Sequence, residues 1–173
     1  RVRAMFDVDS DPVMIANSLE AQTAMKALLK KCPGLRLPSG WDPFEISIAA
    51  ILGQLVSVEF GRRLVSDLIE LAGTESGLQQ NGRSIKLFPT PQQIADTNLT
   101  SLRTTKARKK TLLAFSRAII SGELSLEPTQ DIEQFQKKIL ALPGIGPWTA
   151  NYIALRALRH TDAFPETDLI LAR

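Results

Sequence analysis

Nine consecutive residues, Leu142-Pro143-Gly144-Ile145-Gly146-Pro147-Trp148-Thr149-Ala150, constrain this chain more than any other stretch. They read as a hairpin between two helices. Gly144 and Gly146 are free to take positive φ and leave backbone amides without side-chain cover. Pro147 suits the first position of a helix, where its missing N–H costs nothing. Such a corner directs N–H groups outward at a helix N-terminus and makes a seat for a phosphate. A corner with Pro and Gly is often only a connector. The L-P-G-I-G order asks for more than a connector needs, because two glycines raise the entropy of the unfolded chain without adding packing. A backbone-amide seat reads the phosphate and not the base, so it positions a protein on nucleic acid without specifying sequence.

The 173 residues, 44% of them apolar, suffice for one ordinary domain or two small lobes sharing a core. Lys and Arg number 21 against 18 Asp and Glu, and the net charge of +3 permits nucleic acid without demanding it. Cys32 is the only cysteine and His160 the only histidine. An intrachain disulfide, a thiolate zinc site, an iron–sulfur cluster and a two-histidine metal site are all excluded, and a Ser-His-Asp reading is weakened. A reducing, intracellular compartment is expected, cytoplasmic or nuclear. No apolar run approaches the roughly 20 residues of a membrane span, and no signal peptide opens the chain. Beginning at Arg1 and stopping at Arg173 inside an apolar pattern, the sequence reads as a fragment of a longer protein.

The pattern is helical nearly throughout, so the expected fold is all-α or close to it. Ser10, Asp11 and Pro12 start a helical region running through Val13, Ile15, Leu19, Met25 and Leu28 to Cys32-Pro33-Gly34. Asp42 and Pro43 open a helix through Phe44, Ile48, Ile51, Leu52 and Leu55, weakened by Gly53. Ser57 starts another, with Phe60, Leu64, Val65, Leu68 and Leu71 on one face, ending at Gly73. Residues 73–91 are the least helical and predict one short strand over Ile85 to Phe88. A short helix follows at Pro91, and Thr104 or Thr105 caps a longer one through Leu112, Phe115 and Ile120. Ile132 to Leu140 enters the hairpin and Trp148 to Leu158 leaves it.

The run LPGIGPWTANYIALRAL followed by DAFPETDLIL, together with PGLRLPSGWDPFEISIAAILGQLVSV over residues 33–58, resembles the helix-hairpin-helix DNA glycosylases in their alkylpurine branch. A hairpin alone is unspecific, since polymerases, ligases and helicases use one as a plain DNA grip. Here the hairpin, its distance to Asp168 and the GQLVSV string occur together. The resemblance implies the helix-hairpin-helix glycosylase fold, truncated at both ends: the family's N-terminal α/β lobe and C-terminal helices are absent. Two helical lobes are implied, roughly 1–42 plus 161–173 and 43–160, with the active site between them. It implies a base-excision repair hydrolase that acts as a monomer on double-stranded DNA containing alkylated bases, with no membrane partner. Such an enzyme flips alkylated purines such as 3-methyladenine and releases them hydrolytically. Alternatives are a same-fold glycosylase for other damaged bases and a non-catalytic DNA-binding module.

Residue by residue, Asp168 matches the family's catalytic carboxylate. Hydrolysis of a glycosidic bond passes through a sugar with oxocarbenium character, which a fixed carboxylate stabilises. An alkylated purine is already cationic and leaves without much acid help, so no cofactor is required. By itself Asp168 reads as a helix cap, and Glu166 and Asp162 are the fallback carboxylates. Trp148 and Tyr152, four apart and on one helix face, read either as core or as a wall on which a flipped base stacks. The resemblance favours the pocket. Related enzymes with lyase activity carry a Lys where Trp148 stands, so base release without strand cleavage is implied. Leu55 reads as a core leucine or, by resemblance, as the wedge that fills the gap left by a flipped base. Gln54 beside it reaches DNA or the pocket, or caps the next helix. Gly144, Ile145, Gly146 and Thr149 match the hairpin's DNA contacts. Lys106, with Arg108, Lys109 and Lys110, forms a basic run that is either a solvated helix face or a phosphate contact. The family's hairpin also binds a monovalent cation, Na+ or K+, through carbonyls matching Leu140, Leu142 and Gly144.

Overall fold

The computed structural model describes residues 1–168, so the end of the 161–173 segment lies outside the described residues. They divide into two compact units, Arg1–Trp41 and Asp42 onward. Among them no helix is long and apolar enough to cross a membrane.

The first unit holds α1 (Val2–Met5), α2 (Pro12–Glu20) and α3 (Thr23–Lys31). Asp11 caps α2, its carboxylate accepting from the Val13 and Met14 N–H groups at 2.8 and 3.3 Å, and Pro12 takes the first helical position. The helical region expected from Ser10 to Cys32 is therefore two helices. They are parted where the Gln22 N–H turns back to the Leu19 carbonyl at 3.1 Å. The loop after α3 is pinned by Arg36, whose guanidinium donates to the carbonyls of Asp7 and Ser10.

The second unit runs through α4 (Pro43–Leu52), α5 (Val58–Ala72), β1 (Glu75–Gln80), β2 (Arg83–Lys86), α6 (Pro91–Asp96), a 3₁₀ turn at Leu99–Ser101, α7 (Lys106–Ile120), α8 (Ile132–Leu140) and α9 (Pro147–Arg156). The helical reading holds. Its centre is α4, whose sequence PFEISIAAIL is apolar nearly all round, as a helix surrounded by others must be. It packs on α5, α7 and α9. Ile48, Ile51 and Leu52 are fully buried with Leu64, Leu68, Leu112, Phe115, Phe135, Ile139 and Ile153. Phe44 stacks on Phe115 at 6.0 Å and meets Phe88 edge-on at 6.3 Å. This packing fixes where α4 ends, and its end carries the turn that faces the hairpin.

Three departures from the sequence reading have physical causes. Where one strand was expected over Ile85 to Phe88 there are two, antiparallel, with Glu75 opposite Lys86 and Gln80 opposite Arg83. Asn81 and Gly82, at φ +53° and +73°, make the two-residue turn that matches strand twist; Phe88 leaves the ladder to join the core. Helix α4 stops at Leu52 with Gly53 as its C-cap, so Leu55 stands in a turn and not in the helix. Phe60 and Leu71 are 38% and 37% exposed, and the buried stripe of α5 is Gly61, Leu64, Leu68 and Ala72.

Candidate active site

The hairpin is built around Gly144. Its φ is +78°, and a Cβ there would lie 2.2 Å from the Thr111 hydroxyl oxygen on α7. Glycine is thus required for both its backbone and its neighbour. Gly146 differs from the expectation of positive φ: it sits at φ −100°, ψ 177° as the N-cap of α9. A Cβ at Gly146 would meet nothing within 4 Å among the described residues, so the missing side chain leaves open ground before the first turn of α9. The first intrahelical bond there runs from the Ala150 N–H to the Gly146 carbonyl at 3.0 Å, and no side chain caps the helix. The amides of Trp148 and Thr149 come ahead of that bond, in the geometry that receives an anion.

Gln54, in the turn between α4 and α5, fastens that turn to the hairpin. Its Nε2 donates to the Gly144 carbonyl at 3.1 Å and to the Thr149 hydroxyl at 2.8 Å. Thr149 and Ile145 are buried, so what either offers outward is main chain. The next residue, Leu55, is 95% exposed and holds φ +54°, an uncommon state for leucine. The alternative of a core leucine fails on that exposure.

On α9, Trp148 stacks on Tyr152 with ring centroids 5.1 Å apart and planes 22° apart. The Trp148 indole N–H donates to Asp168 Oδ2 at 2.9 Å. The segment carrying Asp168 is anchored by buried Ala163 and Pro165 and turned by an Asp168 N–H bond to the Pro165 carbonyl at 2.9 Å. A cavity of about 650 Å³ opens here, lined by Leu55, Gln54, Trp148, Thr149, Thr167 and Asp168 with the hairpin glycines. That volume lies in the range of small-ligand sites. Tyr152 does not line it but packs behind Trp148 against the core. Asp162 and Glu166 are exposed and outside it.

Sequence reasoning counted Arg108 in the basic run and missed its inward role. In the basic run, Lys106 and Lys110 are exposed, whereas Lys109 donates to the Thr100 carbonyl at 2.7 Å and Arg108 turns inward. Its spacing held the signal: 108, 112 and 115 share one helix face, and Leu112 and Phe115 are fully buried.

Of the carbonyls expected to hold a cation, that of Leu142 accepts the Ile145 N–H at 3.3 Å and that of Gly144 accepts the Gln54 amide at 3.1 Å. A carbonyl oxygen has two lone pairs, so each of these two is left with one further acceptor position. Among the described residues no cluster of His, Cys, Asp or Glu could hold a metal.

Residues 1–42 match the AlkA N-terminal domain family. DNA-3-methyladenine glycosylase 2 of Escherichia coli is 34% identical over 174 residues, 99% of this chain and 58% of its own length. The chain is homologous to that glycosylase and has the helix-hairpin-helix glycosylase fold. A second relative, from Mycobacterium tuberculosis, is described as a probable bifunctional transcriptional activator and DNA repair enzyme AlkA. It is 34% identical over 169 residues, 98% of this chain and 34% of its own. Among solved structures, an 8-oxoguanine glycosylase/lyase of Clostridium acetobutylicum shares the fold at a TM-score of 0.80 with 23% identity, over 98% of this chain and 59% of that one. The chain thus spans under three fifths of the length of these relatives.

Proposed function

We propose that this chain is the core of a monofunctional DNA glycosylase. It extrudes an alkylated purine such as 3-methyladenine from duplex DNA, hydrolyses its N-glycosidic bond and leaves the abasic site uncleaved. The observation that carries the reading is the Trp148 indole held on the Asp168 carboxylate at the wall of the cavity. An aromatic face suits a cationic base by stacking and by cation–π attraction. A carboxylate beside it stabilises the positive charge that develops on the sugar as the bond to the base breaks. Water then adds to C1′, the base departs with the electron pair of the C1′–N bond, and the water's second proton passes to the carboxylate or to solvent. Trp148 has no amine with which to form a Schiff base, which supports base release without strand cleavage.

The same reading gives the other features their work. The open amides in the first turn of α9, with Gly146 before them, receive a phosphate of the strand, and Leu55 enters the duplex where the base has left. Lys106, exposed at the start of α7, adds a further phosphate contact. The test is to incubate the full-length protein with methylated duplex DNA. Free 3-methyladenine without strand breaks supports the proposal. Excision of oxidised bases alone moves the substrate elsewhere within the fold, and binding with no base released sinks the enzymatic reading.

A further inference from the structure

Leu55 poses a mechanical problem. A side chain that must enter a base stack stands 95% exposed on a five-residue turn, with its backbone in a conformation leucine rarely adopts. No packing against its own side chain holds it there. What holds the turn comes from α7. The Arg108 guanidinium donates through Nη2 to the main-chain carbonyl of Gln54, the residue immediately before Leu55, and through Nη1 to the Thr104 hydroxyl at 3.1 Å. Its Nε is buried without a partner among the described residues, and burial lowers the guanidinium's affinity for its proton. An arginine that bears these costs beside an exposed lysine run is placed for its fork, which spans two acceptors at once as a lysine cannot.

We propose that Arg108 is a positioning residue for base extrusion, holding the Gln54 carbonyl so that Leu55 stays aimed at the duplex. The inference rests on the glycosylase reading and on Leu55 as wedge. Gln54 carries the brace onward, since its side chain donates to the Gly144 carbonyl and the Thr149 hydroxyl of the hairpin. The wedge turn, the phosphate-facing hairpin and the start of α7 are therefore one hydrogen-bonded block. A strand gripped at the hairpin fixes where the wedge strikes.

The test is a double-mutant cycle in the full-length protein, read as single-turnover base release from methylated duplex. Arg108→Met and Leu55→Ala should each lower that rate by about tenfold or more, and the double variant should be no slower than Leu55→Ala alone, because Arg108 acts through Leu55. Release from methylated single strands, where no stack needs filling, should change less than about threefold in either. Effects that multiply in the double variant overturn the role of Arg108 and leave the wedge standing. A Leu55→Ala variant with full duplex activity overturns both. Absence of base release by the unmodified protein overturns the glycosylase reading itself. A second measurement is independent of activity: backbone ¹⁵N relaxation should show residues 54–56 loosened in Arg108→Lys, which keeps the charge and fold but loses the fork. Unchanged order at those residues counts against the proposal.

Discussion

The indole N–H of Trp148 lies 2.9 Å from Asp168 Oδ2, so the ring that walls the cavity also sets the direction of the carboxylate twenty residues later. The two roles separate by mutation. Trp148→Phe keeps a stacking face and loses the donor. A hydrogen bond to a charged group is worth about 1.5–3 kcal/mol, so base release should slow by roughly 10- to 100-fold while affinity for abasic duplex stays within a few fold. Asp168→Asn should bind DNA and release almost no base. Single-turnover rates on methylated duplex check both, and near-normal release by Asp168→Asn would remove that residue from the chemistry.

The hairpin glycines should respond oppositely to alanine. Gly144→Ala puts a Cβ 2.2 Å from the Thr111 hydroxyl oxygen at φ +78°, and the clash and backbone strain together should cost about 2–4 kcal/mol of stability. Adding Thr111→Ala should restore part of that loss. Gly146→Ala meets no neighbour among the described residues and should fold with less than about 1 kcal/mol of change, as capping-site substitutions do. It should nonetheless weaken DNA binding, because its methyl group occupies the ground before the α9 amides. Denaturant melts set against binding isotherms distinguish the two.

Leu55→Gly should dissociate stability from activity. The left-handed backbone at φ +54° costs leucine about 1–2 kcal/mol that glycine does not bear, while glycine's greater unfolded entropy returns about 0.5–1 kcal/mol of that. Thermal melting should therefore give a Tm no lower than that of the parent, even as duplex base release falls. A clear loss of stability would mean that the leucine packs somewhere.

Glu45, in the first turn of α4, gives a pH signature. Burial first, and the charge of Asp42 second, raise its pKa above the ordinary carboxylate value. The folded protein then holds this proton more readily than the unfolded chain does. Its stability is highest below the unfolded pKa of about 4.3 and falls as pH rises through the folded value. Glu45→Gln should raise Tm at pH 7 and lose the advantage below about pH 4. The gain should stay under about 1 kcal/mol, because the half-buried side chain is screened by water.

Much of this was legible in the residues. Pro at a helix start, Asp or Ser before it and apolar spacing by threes and fours located Asp42-Pro43, Ser57 and the two hairpin helices, because caps and periodicity are local properties. Trp148 facing Tyr152 followed from a spacing of four. What was hidden depended on distance in sequence. Gln54 and Gly144 are ninety residues apart, and nothing local marks their hydrogen bond. Arg108 was masked by the lysines around it, since a basic run is ordinarily solvated. Asn81-Gly82 carried a local signal for a second strand, and the polar flanks of that hairpin obscured it.

The contact between Trp148 and Asp168 also equips the protein with an optical gauge. An indole that donates to a carboxylate changes its emission with the charge and position of that carboxylate. The sequence holds only one other tryptophan, Trp41. In this chain, with Trp41 replaced by phenylalanine, the light from the Trp148 ring alone would report changes at Asp168. On the proposed reading, arrival of DNA and departure of the base could then be timed with no label attached.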